Sequence, residues 1–359
     1  MSGLTKIKEA PAVEEVYTQL TRRKMLFILG VCALLVAFSI AATAIGAASL
    51  TVGESFQAIL ARIFPALQTS GFADTIIWQL RLPRILMAII TGLSLGVAGA
   101  VMQGVLRNPL VSPYTLGLSA GAACGAGIAI ALGVGIFGTG RYLIVGNAFI
   151  FSLLTMFLVL LISRIRGTAI ETLILAGVAL GYLFSATISI LKYVSDTEAL
   201  REIVFWLMGG LYMARWETVF LLLPVVTVII IIAMRYSWDL NVMGSGEEVA
   251  MSLGVRVNRI RIVCLAISAL MTASVIAFTG IIGFIGLVSP HICRSIVGSD
   301  HRFLIPASGL MGGLILLVSD TICRTLIQPT EIPVGILTAF IGVPFFLYLL
   351  MRKRRSWWQ

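Results

Sequence analysis

The sequence predicts an all-α integral membrane protein of about ten transmembrane helices, with both termini in the cytoplasm. Three observations predict it. Of 359 residues, 59% are hydrophobic and only 12% are charged, where an ordinary soluble domain has roughly 45–50% and roughly 25%. The mean hydropathy is +1.03. The apolar residues fall in long runs rather than in alternation, so the spans read as helices and not as barrel strands. A soluble enzyme, a disordered regulator and a disulfide-stapled secreted domain are excluded at this stage.

Charge and cysteine usage narrow the reading. Lys and Arg total 26 against 16 Asp and Glu, a net charge of +10. A pI of 9.7 in a soluble protein would suggest nucleic acid. Here the basic residues sit at the ends of apolar runs, so they read as membrane orientation, with the bilayer and not nucleic acid as the partner. Cys32, Cys124, Cys264, Cys293 and Cys323 lie far apart and form no C-x-x-C. They read as small packing residues, not as a zinc or redox site.

In chain order, residues 1–24 form a polar cytoplasmic segment ending in Thr21-Arg22-Arg23-Lys24. The first span is expected from Met25 to Leu50. Ala44-Ile45-Gly46-Ala47-Ala48 looks a little like a cleavage site, but the apolar stretch is too long for a signal peptide, so the span reads as uncleaved. A short amphipathic helix is expected around Ser55–Phe64. Nine further spans are expected near 83–106, 113–134, 142–163, 169–191, 216–235, 260–281, 284–297, 304–323 and 333–351. Residues 25–351 thus make one ten-helix domain, and 352–359 a basic cytoplasmic tail whose Trp357 and Trp358 suit an interfacial anchor.

Ten spans put both ends on one side. With the N-terminus inside, the outer side holds Arg62, Arg81, Arg84, Arg141, Lys192, Arg201, Arg215 and Arg324, and the inner side holds the other 18 of 26 basic residues. That imbalance assigns the termini to the cytoplasm.

Glycine is spaced for close helix contact at Gly92-x-x-x-Gly96, at Gly117-x-x-x-Gly121-x-x-x-Gly125 and around Gly280, Gly283 and Gly286. Small residues let backbones approach and gain dispersion contacts. They serve packing within the chain or, as a second reading, a dimer face. Pro109, Pro113, Pro290, Pro333 and Pro344 read as terminators or breaks at span ends.

Four segments could carry function. Tyr236–Arg261 is the longest polar stretch on the inner side. In it, Ser245 or Gly246 can cap a short helix with Glu247 and Glu248 in its first turn. Val249, Ala250 and Leu253 would share an exposed apolar face, and Gly254 would supply the left-handed stop. That helix either lies against the membrane or its own protein, or docks into a groove on a cytoplasmic partner. Around the eighth span, His291 reads as a hydrogen-bonded structural residue, and Asp300-His301-Arg302 as an inner turn that is solvated or contacts a partner. Asp320 and Arg324, at i,i+4 in the ninth span, are placed to pair inside the bilayer, and Arg324 could also meet an acidic partner outside. Glu171, in the inner turn Arg166–Thr172, is either a helix-start residue or the mouth of a pathway. No nucleophile–base set, Walker A loop or Rossmann fingerprint occurs. The chain therefore offers no catalytic residues and no metal or cofactor site of its own, and work would need an outside energy source.

Several motifs together resemble the FecCD-type permease subunits of bacterial and archaeal ABC importers. They are Arg81-Leu82-Pro83-Arg84, Gln103-Gly104, Asn108-Pro109-Leu110, Leu116–Ala122, Leu175–Leu180, Trp206–Gly210, Gly246-Glu247-Glu248 through Leu253-Gly254, Phe284–Val288 with Pro290-His291, Asp300-His301-Arg302 and Pro333-Val334-Gly335. The resemblance covers roughly residues 50–351 and implies a type II importer permease fold that dimerises, most simply as a homodimer, around a central pathway. It implies two cytoplasmic ATPase subunits, which would bind the ATP-Mg, and an external substrate-binding protein. Iron–siderophore is the first expected cargo, with cobalamin, haem and molybdate or tungstate as alternatives. By this resemblance, Gly246, Glu247, Glu248, Val249, Ala250, Leu253 and Gly254 form the coupling helix. Arg62 and Arg324 would dock the binding protein, and Ile170 and Glu171 fall at the inner gate, where some relatives have small hydroxylated residues. A gradient-driven secondary transporter is the competing reading. It would need coupling charges at membrane depth and usually internal repeats, and only Asp320 and marginally Glu171 qualify.

Overall fold

The computed structural model describes residues 13–46, 50–62, 64, 71–135, 140–165, 169–327 and 330–351. Among these there are fifteen α-helices and no strand. In order they are α1 (Val13–Ala44), α2 (Val52–Ala61), α3 (Gly71–Thr75), α4 (Leu82–Val105), α5 (Leu118–Leu132), α6 (Arg141–Ile165), α7 (Ile170–Val194) and α8 (Thr197–Met208). There follow α9 (Trp216–Arg235), α10 (Ser237–Gly244), α11 (Glu247–Ser252), α12 (Val257–Thr279), α13 (Ile285–Val297), α14 (His301–Leu326) and α15 (Val334–Met351). A π-helical turn, Ile76–Arg81, joins α3 to α4.

Seven of the described helical segments are long and apolar enough to cross a bilayer. The α5, α13 and α15 helices are apolar but shorter, and with them the ten expected positions are filled. Side-chain contacts fix the directions. Arg84 near the start of α4 meets Asp320 near the end of α14, and Asn241 of α10 meets His301 at the start of α14. These contacts lie at opposite ends of the bundle, as an alternating path requires.

The helix boundaries depart from expectation in instructive places. α1 begins at Val13, twelve residues before the expected start at Met25. Its 32 residues span about 48 Å, more than the ~30 Å of hydrocarbon, so its polar first turns stand clear of the bilayer. The third span was expected to begin at 113 but begins at Leu118, because Gly117 adopts a left-handed φ of +79°. The chain before it is irregular, with Val111, Ser112 and Leu116 buried. Irregular backbone at that depth is tolerated where protein surrounds it. Pro290 and Pro344 do not terminate helices; they lie inside α13 and α15, where neighbouring helices can compensate the missing N–H. Of the features singled out in the sequence at the chain ends and in the turns, Ala47, Ala48, Arg166-Gly167-Thr168, Trp357 and Trp358 lie outside the described residues.

The glycine stripes are used within the chain. α4 runs through the centre with most of its side chains buried, and α14 crosses it in contact. A Cβ on Gly92 would stand 2.6 Å from the Cα of Gly313, and one on Gly99 2.6 Å from the carbonyl carbon of Gly286. Gly121 and Gly125 of α5 face Phe151 and Asn147 of α6 in the same way. Without a hydrophobic drive between helices, that closeness supplies the dispersion contact that holds them.

Candidate functional site

The inner end is built around α10 and α11. Gly246 has φ +127°, a conformation side chains rarely adopt. It turns the chain out of α10 and into α11. Of the two residues expected as the cap, Gly246 takes the N-cap position of α11, with no side chain to bond there, and Ser245 closes α10. Gly254 supplies the left-handed stop at φ +83°. The Val255 N–H then donates to the Ala250 carbonyl at 2.9 Å and the Gly254 N–H to Met251 at 3.0 Å, which closes the helix end.

The faces of α11 are sorted differently from the sequence reading. Ala250 was expected on the exposed apolar face but is 0% exposed, packed into the core with Met243 and Leu265. In a six-residue helix, one position must point inward to hold the helix, and the smallest apolar side chain does so. Val249, Met251 and Leu253 point outward, at 46%, 57% and 67% exposed, and Glu248 is exposed beside them. The result is an apolar knob with an acidic edge on the inner side.

Glu247 behaves otherwise. Its carboxylate accepts from the Arg261 guanidinium, whose side chain is only 4% exposed. Arg261 also donates to Asn258 Oδ1 at 3.2 Å. Beside this pair opens a cavity of about 880 Å³, lined by Ile170, Glu171, Glu247, Gly254, Arg256, Asn258, Arg259 and Arg261 among others. The structure thereby brings the start of α7 and the α11 helix, singled out separately in the sequence, to one cavity.

Asp300-His301-Arg302, read as solvated or partner-facing, is a bolt between α10 and α14. Asn241 Oδ1 accepts from the His301 backbone N–H at 2.7 Å and lies 2.9 Å from its Nδ1. The pairing assigns the proton to Nδ1, since an amide oxygen only accepts. Asn241 Nδ2 donates to Asp300 Oδ1 at 2.8 Å. Arg302 donates to the Asp300 carboxylate from its backbone N–H, its Nε and its Nη2, and stacks 4.1 Å over the Trp238 ring. Burial opposes the Asp300 charge, but these hydrogen bonds outweigh it and hold its pKa down to about 2. His291 is buried edge-on against Phe345.

At the outer end, Asp320 is wholly buried. Arg324 lies 3.1 Å from it at i,i+4. A second cation, missed in the sequence, joins them: Arg84 reaches Asp320 at 2.9 Å and Glu331 at 2.7 Å. Two separated chain segments meet there, so helix spacing could not reveal the contact. Arg324 does not present its charge outward; its side chain is 6% exposed. It lines a cavity of about 410 Å³ with Arg81, Arg84, Tyr212 and Glu331. Arg62 is the outward cation of the two singled out, with 56% of its side chain exposed, 4.0 Å from Asp74 and 4.5 Å over the Trp78 ring.

Also missed were α8, whose Asp196 side chain accepts from the Ala199 N–H at 2.8 Å, and α10. The Ser195-Asp196 start signal before an apolar-periodic run was available for α8.

The chain matches the FecCD transport family over residues 33–352. It is 37% identical to a hemin transport system permease of Yersinia pestis over 86% of this chain and 93% of that one. It is 44% identical to a cobalamin import system permease of Halobacterium salinarum over 77% of this chain and 74% of that one. Among solved structures, one described as a metal-chelate type ABC transporter in an inward-facing conformation superposes with a TM-score of 0.80. That structure is 36% identical, covering 90% of this chain and 98% of its own.

Proposed function

The chain belongs to the FecCD transport family, and on that premise we propose that it forms the membrane pathway of an ATP-driven importer for a metal chelate. In this reading two copies line a central route. Two ATPase subunits, which bind ATP-Mg, sit on the inner side, and a substrate-binding protein delivers cargo outside. An iron chelate is the first candidate cargo, and cobalamin or haem the alternatives.

The observation that carries the proposal is the α11 knob. Val249, Met251 and Leu253 project an apolar face from a helix that is itself locked by Ala250 and by two glycine turns. An exposed apolar face held on rigid backbone is suited to a groove on another protein. ATP-driven closure of the partners would move α11 and, with it, the gate region at Ile170 and Glu171 across the cavity.

A contrast between uncovered helices supports the route. The uncovered face of α9 carries Phe220, Leu221, Val228 and Ile231, with one hydroxyl, that of Thr227, bonded back to the Leu223 carbonyl. Among the exposed apolar side chains of α7, Leu183, Ile190 and Val194 included, stand four hydroxyl groups, those of Tyr182, Ser185, Ser189 and Tyr193. Such groups suit a wetted route or a second copy better than acyl chains. On the outer side Arg62 is the candidate dock for an acidic surface of the binding protein, since Arg324 is turned inward.

A gradient-driven transporter needs a carboxylate at membrane depth that can change partner or protonation. Asp320 is held between two guanidinium groups, a poor arrangement for that task. The test is purification of tagged chain in mild detergent with mass spectrometry of what accompanies it. Recovery of an ATPase subunit and a solute-binding protein is expected. A well-folded chain that repeatedly comes down alone would overturn the proposal.

A further inference from the structure

We infer that Glu247 is a positioning residue, which straps the α11 helix to α12 so that the two move as one lever, rather than a contact for the ATPase partner. The inference rests on the coupling role proposed above for α11. Sequence reasoning had grouped Glu247 with Glu248 as neighbouring acids on a docking helix. The structure separates them: Glu248 faces solvent, while Glu247 turns back to the Arg261 guanidinium.

Three attachments hold α11. Ala250 is buried in the core, the Val255 N–H bonds the Ala250 carbonyl at 2.9 Å, and Glu247 meets Arg261. The first two fix the middle and the end of the helix through apolar packing and local backbone. The third fixes its first residue to a side chain one turn into α12, fourteen residues along the chain. Arg261 is held in turn by Asn258 and by near-complete burial. A push on the exposed Val249, Met251 and Leu253 face acts off the axis of so short a helix. Without a strap at its first residue, that push would roll α11 over the 880 Å³ cavity beside it. With the strap, the push is delivered to α12, whose inner half forms part of the central core with Ile260, Cys264 and Leu265.

The geometry separates two kinds of variant. Changing Glu248 or Leu253 alters what the partner touches. Changing Glu247 or Arg261 leaves that surface in place and loosens its mounting. A charge swap, Glu247→Arg with Arg261→Glu, restores the strap with inverted sign, and would not restore a contact between Glu247 and a partner.

The experiment is hydrogen–deuterium exchange with mass spectrometry on the full chain assembled with its ATPase subunits in lipid nanodiscs, with and without ATP and vanadate. Glu247→Gln, Arg261→Glu and the double swap are compared with the parent. In the parent, nucleotide is expected to change protection of residues 247–255 and 257–265 together. In Glu247→Gln, the α11 amides are expected to exchange roughly tenfold faster, as loss of the carboxylate partner of a buried guanidinium implies. Nucleotide would then change α11 without changing α12, while the ATPase subunit stays bound. The double swap should return both signals toward the parent.

The inference is overturned if Glu247→Gln leaves exchange and the α12 response unchanged, if it releases the ATPase subunit, or if the swap fails to rescue where the single variants are folded. Glu247→Gln removes one charge and little volume, so it guards against a collapse caused by Arg261→Glu. Failure of the underlying coupling reading would look different. The parent itself would not retain an ATPase subunit, yet exchange of α11 in the isolated chain would still report whether the strap exists.

Discussion

At the outer end, Arg84 and Arg324 close on a carboxylate that water cannot reach, and Arg84 carries the link on to Glu331. At the inner end, Glu247 holds Arg261 at the lip of an open cavity, and an apolar knob stands beside it. Both ends use Arg–carboxylate pairs. The outer network ties two spans and a loop, so every member is fixed by at least one other element. The inner pair ties a six-residue helix to the start of one span and leaves the helix's other face free. The difference teaches where motion can enter. A network sharing one buried acid between two guanidinium groups resists displacement, because moving any member strands a charge in low dielectric. A single strap beside a cavity can shift as a unit. The outer end reads as the fixed frame and the inner end as the moving part.

The sharpest way to break this comparison is at the frame. Asp320→Ala takes the carboxylate from the buried Arg324 and leaves Arg84 with Glu331 alone; it is expected to cost about 3–5 kcal/mol, read as a large fall in thermal unfolding temperature in detergent. If Asp320→Ala melts like the parent, the outer network is not a frame.

Next is the knob. Leu253→Asp places a charge on the exposed face of α11 and is expected to leave the unfolding free energy within about 0.5 kcal/mol of the parent. It should weaken ATPase binding by at least ~2 kcal/mol, about 30-fold, in an equilibrium titration. Equal binding would mean that the knob is not the docking surface.

The third prediction probes the bolt between α10 and α14. Asn241→Ala removes the acceptor for the His301 N–H and the donor to Asp300, and is expected to cost about 1–3 kcal/mol. It should leave the ATPase affinity of the knob itself intact.

The fourth is a pH effect at the same bolt. Asp300 titrates at about 2 in the fold and near 3.9 when unfolded. A depressed folded value stabilises above the unfolded value. That stabilisation is lost as pH falls from about 4 toward about 2. Asp300→Asn should therefore flatten this part of the stability curve in acid melts.

The smallest expected effect is Arg62→Ala, under about 1 kcal/mol of stability because its ion pair is long, at 4.0 Å, and open to solvent on the Arg62 side. Its effect belongs instead in the on-rate and salt dependence of binding-protein capture.

How much of this was legible in the sequence follows from what kind of interaction each feature uses. The ten apolar runs are one-dimensional signals, and each reappears as a helix, seven of them at bilayer-crossing length, because backbone polar groups in hydrocarbon must bond within their own segment. The Gly92 and Gly121 stripes were legible for the same reason, since helical spacing alone puts small residues on one face. The Asp320–Arg324 spacing was legible too, but Arg84 was not, because it arrives from a helix more than two hundred residues away. Arg261 was hidden in plain view, counted only as one of several inner basic residues. Ala250 was assigned to the wrong face because a helix of six residues gives too few turns for periodicity to decide which face is anchored. The Asn241 bolt was unreadable for a different reason: an asparagine between two helices satisfies turns, caps and contacts equally well, and only the fold chooses among them.

The central claim is that the α11 knob seats in an ATPase partner while the rest of the helix is bound to its own chain. Site-specific photo-crosslinking tests it most directly. A photoreactive residue is placed in turn at Met251, at Leu253 and, as a control, at Phe220, in cells making the native complex, and adducts are identified by mass spectrometry. The account predicts ATPase adducts from Met251 and Leu253 and none from Phe220, which lies on the uncovered apolar face of α9. Adducts from Met251 and Leu253 to lipid or to this chain alone would contradict it.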